Sequence, residues 1–262
     1  MPAATALDAP ASDTALKAID TRLRPLEAWR AFRRLMNNPG DTREVFTIFR
    51  ALRGASGVKA FRRFAASPTG AGILARQPSL LAALSDRAAL AKLPEGSVGR
   101  AYLAFVEEEN LSAEGLVEAS RVSDWDTDAA PEAMDFFRKR MRDSHDLNHI
   151  LTGYGRDPLG ELCLLAFMYR HTRNPGMAFM VVMAWSRLPP VARAAVKEGW
   201  RNGAKARWFQ DLDYEALLPR SLADVRAELG IAAPAAYAAL MTPEFLGRMQ
   251  AQREAVIGKK AA

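Results

Sequence analysis

Apolar residues recur at spacings of three and four along most of this chain, and that period, one face of an α-helix, limits its fold more than any other feature. It runs through residues 26–36, 42–52, 79–84, 100–107, 131–151, 160–171, 176–186, 191–205 and 221–229. Val and Ile together supply only 18 of the 262 residues, with Ala, Leu, Arg, Glu and Met in their place. Such a composition favours helix and is poor in strand formers. An all-α fold of roughly eight or more helices is expected.

The breaks carry recognisable punctuation: Asn-Pro-Gly at 38–40, Leu-Pro-Glu-Gly at 93–96, Gly-Tyr-Gly-Arg-Asp-Pro at 153–158, Asn-Pro-Gly at 174–176 and Pro-Pro at 189–190. None is long enough for an interdomain linker, and no fixed-period repeat appears, so a single compact domain over residues 14–262 is expected. Residues 1–13 lack a hydrophobic period and read as a disordered lead, residues 121–131 as a polar surface loop, and the GKKAA end as a frayed tail.

A lone cysteine, Cys163, rules out an intrachain disulfide or a multi-cysteine metal site. Any metal must be held by nitrogen and oxygen. Asp8, Asp13 and Asp20 punctuate the first twenty residues, where no apolar run reaches signal-peptide length, so no targeting peptide is expected. The uncharged run 174–186 is far short of the roughly 20 residues that span a bilayer. The chain's formal charge of +6 is concentrated in residues 20–65, where 11 Lys and Arg face 4 Asp and Glu. This local +7 suits an anionic membrane surface or a solvated helix face, and no motif supports nucleic acid.

Two of the three histidines, His145 and His149, stand four apart, the helical spacing that lets two imidazoles reach one ion. At about 100° per residue, His149 lies about 40° and Asp146 about 100° around from His145. Glu161, after a turn-forming loop, opens the next apolar helix and can face the same point. Two imidazoles and two carboxylates suit zinc, and also manganese, iron(II) or cobalt. On spacing alone, a surface or capping pair of histidines fits equally. His171, ten residues past Glu161, points elsewhere and reads as structural. Arg142 and Arg138 extend the His145 stripe by about 60° and 20°, placing two guanidiniums where they would bind a substrate carboxylate or phosphate, unless they pair with Asp135 or Asp143 on a basic surface. Met168, Met177, Phe179, Met180 and Met183 make the following segment strongly apolar, as core or as a surface for a flexible apolar ligand.

The segment HDLNHILTGYGRDPLGE, residues 145–161, resembles the HDxxHx11E metal motif of the Coq-four family of ubiquinone (coenzyme Q) biosynthesis proteins. The likeness extends through RQPSL, LPEGSVGRAYLAF, the Arg142-Asp143 pair, RNGAKA and DYEALLPRSLADVRAELGI, over about residues 65–231. It implies an all-helical protein with a divalent metal, usually zinc, on His145, Asp146, His149 and Glu161. It also implies oxidative decarboxylation at ring carbon 1 of a polyprenylated hydroxy-methoxy-benzoate, or alternatively a non-catalytic prenyl-lipid scaffold for a biosynthetic complex. Arg142, Arg138 and Tyr154 are the candidate substrate-binding residues, the last in a loop whose glycines would let it act as a lid. Implied partners are a polyprenylated benzoate or quinone intermediate, other ubiquinone biosynthesis proteins, an anionic membrane surface and a second copy of the chain. In a bacterium the location would be the cytoplasmic face of the inner membrane. A metal phosphohydrolase is a weaker alternative, because no further His-rich ligand set accompanies the motif.

Overall fold

The structure, a computed structural model, describes residues 13–38, 42–108, 130–245 and 247. Residues 1–12 of the expected lead, residues 121–129 of the expected loop and the tail lie outside the described residues, while Asp13, the last residue of that lead, opens the first helix. In chain order the helices are α1 Asp13–Lys17, α2 Pro25–Asn37, α3 Thr42–Leu52, α4 Ser56–Ala66, α5 Pro68–Arg76, α6 Leu80–Ser85, α7 Arg87–Ala91, α8 Val98–Glu108, α9 Glu132–Asp143, α10 His145–Thr152, α11 Pro158–Thr172, α12 Pro175–Trp185, α13 Pro190–Lys205, α14 Tyr214–Leu217, α15 Leu222–Glu228 and α16 Ala235–Ala238, with a 3-10 turn at Phe209–Asp211. Among the described residues there is no strand, only an isolated bridge between Ser97 and Ser221. The fold is all-α.

Short polar side chains start these helices where the chain changes direction. Ser67 accepts from the Gly70 N–H at α5, Ser79 from Ala82 at α6, Asp86 from Ala89 at α7 and Asn174 from Gly176 at α12. Each satisfies an N–H that the first helical turn leaves without a partner, a contribution of about 1 kcal/mol. Proline fills the first turn of α2, α5, α11, α12 and α13, where its missing N–H costs nothing.

At the centre lies α11, buried along much of its length and packed most extensively against α13. Their approach depends on two glycines of α13. A Cβ on Gly199 would sit 2.6 Å from the Cys163 carbonyl oxygen, and one on Gly203 would sit 2.4 Å from that of Phe167. The main core gathers α6, α7, α8, α10, α11, α13 and the C-terminal helices around Leu147, Leu151, Phe167, Phe209 and Val225. A second cluster joins α1, α4, α5 and α9 through Phe61, Phe64, Met134 and Phe137. A third joins α2 and α3 through Phe32, Ile48 and Phe49, and Met177, Phe179, Met180 and Met183 of α12 close over it.

The period expected to run unbroken over residues 131–151 is two helices in the structure. Ser144, with φ −80° and ψ 0°, stands between α9 and α10, so the stripe extrapolated from His145 back to Arg142 and Arg138 crosses a junction. Among the described residues no helix is long and apolar enough to cross a membrane.

Candidate metal centre

The site is built at the turn between α10 and α11. Gly153 ends α10 with φ +78°, a left-handed conformation that favours glycine, and its N–H closes on the His149 carbonyl at 2.8 Å. Arg226 of α15 donates to the carbonyls of Ile150 at 2.6 Å and Leu151 at 3.0 Å, satisfying acceptors that the helix end leaves open. Asp157 then caps α11, accepting from the N–H groups of Leu159 and Gly160, and Pro158 opens the helix. Glu161 follows in the first turn.

This turn brings His145, His149 and Glu161 together, with one ligand atom from each lying within 4.8 Å of the others. The two imidazole Nε2 atoms are 3.2 Å apart. Glu161 places Oε1 3.4 Å from Nε2 of His149 and Oε2 3.9 Å from Nε2 of His145. Donors bound at about 2.0–2.1 Å to a tetrahedral ion are roughly 3.3–3.4 Å apart, so the set fits a small divalent cation with little adjustment. His149 Nδ1 lies 2.9 Å from the Tyr154 carbonyl, which can only accept; the N–H is therefore on Nδ1 and the lone pair on Nε2 faces the other donors. The rings of Phe105 and His149 stack at 6.0 Å, which further fixes the imidazole plane.

Electrostatics agree with the geometry. Burial opposes ionisation of His149, but the hydrogen bond and charge of Glu161, the Tyr154 carbonyl and the charge of Asp146 outweigh it and raise its pKa. Burial dominates at His145 and lowers its pKa against the pull of Glu161. Burial alone would raise Glu161; the His149 hydrogen bond, both imidazoles and the Arg156 charge hold it below the usual carboxylate range. The side chain of His149 is fully buried while His145 and Glu161 are each 36% exposed, so the centre is open on one side.

The other expected site residues are placed differently. Asp146 is buried on α10 and its charge reaches both imidazoles, but its carboxylate is not within the cluster of three donors. Arg142 is bound to Asp143, Nε to Oδ1 at 2.9 Å, with both side chains buried. Arg138 also has a partner. Tyr154 is buried, and its phenol faces α13, where a Cβ on Gly199 would lie 3.3 Å from the hydroxyl; the carbonyl is what meets the site. The loop is fastened as well. The Tyr237 hydroxyl donates to Asp157 Oδ2 and accepts from the Gly155 N–H at 3.0 Å. Arg156, Tyr237 and Arg226 were not singled out by the sequence. Arg156 lies inside the motif and could have been found by asking which cation sits between the ligands, whereas the other two act across 70 residues or more.

The family model described as coenzyme Q (ubiquinone) biosynthesis protein Coq4 matches residues 35–235. The chain belongs to the Coq4 family. Curated relatives include the mitochondrial ubiquinone biosynthesis protein coq4 of Aspergillus flavus, 30% identical over 172 residues, or 64% of this chain and 58% of that protein. The Talaromyces stipitatus protein of the same name is 32% identical over 173 residues, and the Danio rerio homologue is 29% identical over 182 residues, covering 68% of this chain and 65% of that one. The chain thus matches somewhat under two thirds of the length of these Coq4 proteins. A crystal structure of a candidate ubiquinone biosynthesis protein from Nostoc punctiforme shares the fold, with a TM-score of 0.58 at 18% identity over 81% of this chain and all of that one.

Proposed function

We propose that this Coq4-family chain is a divalent-metal-dependent enzyme of ubiquinone biosynthesis that replaces the ring carboxylate of a polyprenylated hydroxy-methoxy-benzoate with a hydroxyl. The observation that carries this reading is the convergence of His145, His149 and Glu161 at ligand distance, with the tautomer of His149 set by the Tyr154 carbonyl. Asp146 contributes negative charge beside the imidazoles. A bound divalent ion would supply Lewis acidity toward the oxygens of the substrate. Zinc suits the donors, and so do iron(II), manganese and cobalt, because two imidazoles and one carboxylate are common to several metals. The exchange of carboxylate for hydroxyl releases carbon dioxide and removes two electrons from the substrate; dioxygen can accept them as it is reduced to hydrogen peroxide, with water supplying the hydroxyl oxygen, so an assay must supply dioxygen as well as substrate.

The surface of the fold supports a prenylated, membrane-held substrate. Every residue of α12 except Gly176 is partly or fully exposed, although the helix carries no charge. Val182 projects from it, and Leu26, Trp29 and Met36 project from α2 among the exposed Arg30 and Arg33. An apolar surface interleaved with guanidiniums suits the boundary of an anionic bilayer, and we place peripheral attachment here. On this reading the other partners are the remaining proteins of the pathway.

Elemental analysis of the purified protein beside His149→Ala and Glu161→Ala tests the centre, with circular dichroism to confirm folding. Near-stoichiometric metal in the parent, lost in both folded variants, is the expected result. In cells, Glu161→Ala should accumulate the carboxylated prenyl intermediate, and unchanged quinone levels would refute the enzymatic reading. The partly exposed apolar α12 favours a second reading, a prenyl-lipid scaffold without catalysis. Folded, metal-bound protein that binds a short-prenyl benzoate and never turns it over would select that one.

A further inference from the structure

The field of one more cation reaches two of the three donors, His145 and Glu161. Arg156 lies between two fastened neighbours: the N–H of Gly155 is bound by Tyr237, and Asp157 both caps α11 and accepts from the Tyr237 hydroxyl. Its backbone is thereby held at the edge of the site, five residues before Glu161. The loop it belongs to abuts the centre, the Tyr154 carbonyl two residues earlier lying 2.9 Å from His149 Nδ1, and the positive charge acts on His145 and on Glu161 alike. Arg142 is committed to Asp143 and Arg138 has a partner, but Arg156 forms no hydrogen bond or ion pair among the described residues.

A half-buried guanidinium without a hydrogen-bonded anion gives up part of its hydration and recovers only the longer-range attraction of Glu161. An anion arriving from outside would complete it. We propose that Arg156 anchors the carboxylate of an aromatic acid substrate at the mouth of the His145, His149 and Glu161 centre. The planar fork of arginine matches a carboxylate bidentately. The proposal rests on the reading of the chain as acting on a prenylated benzoate, and names the residue that would distinguish such a substrate from its decarboxylated product.

Titration calorimetry decides it, using as probes a 4-hydroxybenzoate carrying one or two isoprene units and the phenol that lacks its carboxylate. The parent protein should bind the benzoate more tightly. Arg156→Ala should weaken the benzoate by roughly 10–100-fold, the range for a hydrogen bond to a charged group, and leave the phenol within about twofold. Arg156→Lys should recover part of the loss, because charge is retained and the fork is not. Metal content should be equal in all three proteins. Unchanged benzoate binding in Arg156→Ala, an equal fall for both probes, indifference of the parent to the carboxylate, or loss of metal with Arg156 would each overturn the proposal. Carboxylate selectivity that depends on Arg156 in a protein with no turnover would support it while refuting the enzymatic reading.

Discussion

Gly203→Ala should destabilise this protein even though alanine is the better helix former. In the middle of an exposed helix the exchange gains about 1 kcal/mol. Here the new methyl would lie 2.4 Å from the Phe167 carbonyl oxygen and 2.9 Å from the Phe167 Cα, both backbone atoms of the central helix α11. Relief requires α13 to withdraw by about 0.8 Å, judged against an ordinary contact of at least about 3.2 Å, along the most extensive helix contact in the fold. Overpacking against backbone falls at or above the upper end of the usual 1–3 kcal/mol, so the net loss should be about 2 kcal/mol. For a chain of this size that is a fall in Tm of roughly 4–8 °C. Gly72→Ala in α5 is the control, because its added methyl meets nothing closer than the flexible end of Arg76 at 3.5 Å. It should stabilise by about 0.5–1 kcal/mol. Urea unfolding with an unchanged m-value measures both. A Gly203→Ala protein as stable as its parent would refute the close-contact argument.

Three further changes probe separate parts of the structure. Burial, reinforced by Arg63, Arg170 and Arg173, pushes the pKa of His171 down to about 4. The unfolded chain, with an ordinary histidine near 6.5, therefore takes up this proton first as pH falls, so stability is full above about pH 6.5 and declines toward pH 4 by up to about 3 kcal/mol; His171→Asn should flatten that part of the profile in urea titrations. Arg140, 2% exposed, is held by both oxygens of Glu215 at 2.7 and 2.6 Å and by the Leu212 carbonyl. Glu215→Ala should cost about 3 kcal/mol by leaving a buried charge without a counter-ion, whereas Arg140→Met with Glu215→Leu should recover most of it, both read from chemical unfolding. Tyr237→Phe removes the hydroxyl that fastens Gly155 and Asp157 and should weaken metal binding about 10-fold in chelator competition while the fold is retained; unchanged affinity would show that the loop holds its place without Tyr237.

The sequence made the fold class legible because amphipathic helices repeat their period wherever one face is buried and the other wet. It was least informative where that contrast disappears. The short α7, α14 and α16 have too few residues to show a period, and α9 and α10 share one apolar phase although Ser144 separates them. At the site, spacing was sufficient for His145 and His149, because a helix turn alone brings i and i+4 together. Glu161 is brought to the same point because Asp157 caps and Pro158 opens α11, which leaves Glu161 in its first turn. For Arg142 the alternative weighed from the sequence, a pair with Asp143, is seen, and the stripe leading back from His145 crosses the Ser144 junction.

The three donors occupy 17 consecutive residues, 145–161, yet several contacts that fasten their segment come from the C-terminal quarter of the chain. Tyr214 donates to Asn148 on α10, Arg226 closes the end of that helix, and Tyr237 fastens the loop into α11. A local motif is thus enough to assemble the ligand types, but their separation is a tertiary property. Ala236, whose N–H is received by Glu198 of α13, ties this last segment to the helix that packs along α11. The family match ends at residue 235, one residue before Ala236 and two before Tyr237. Tyr237 therefore acts on the site from just beyond the matched segment, and substitutions in α16 should alter metal affinity more than their distance in sequence from His145 suggests.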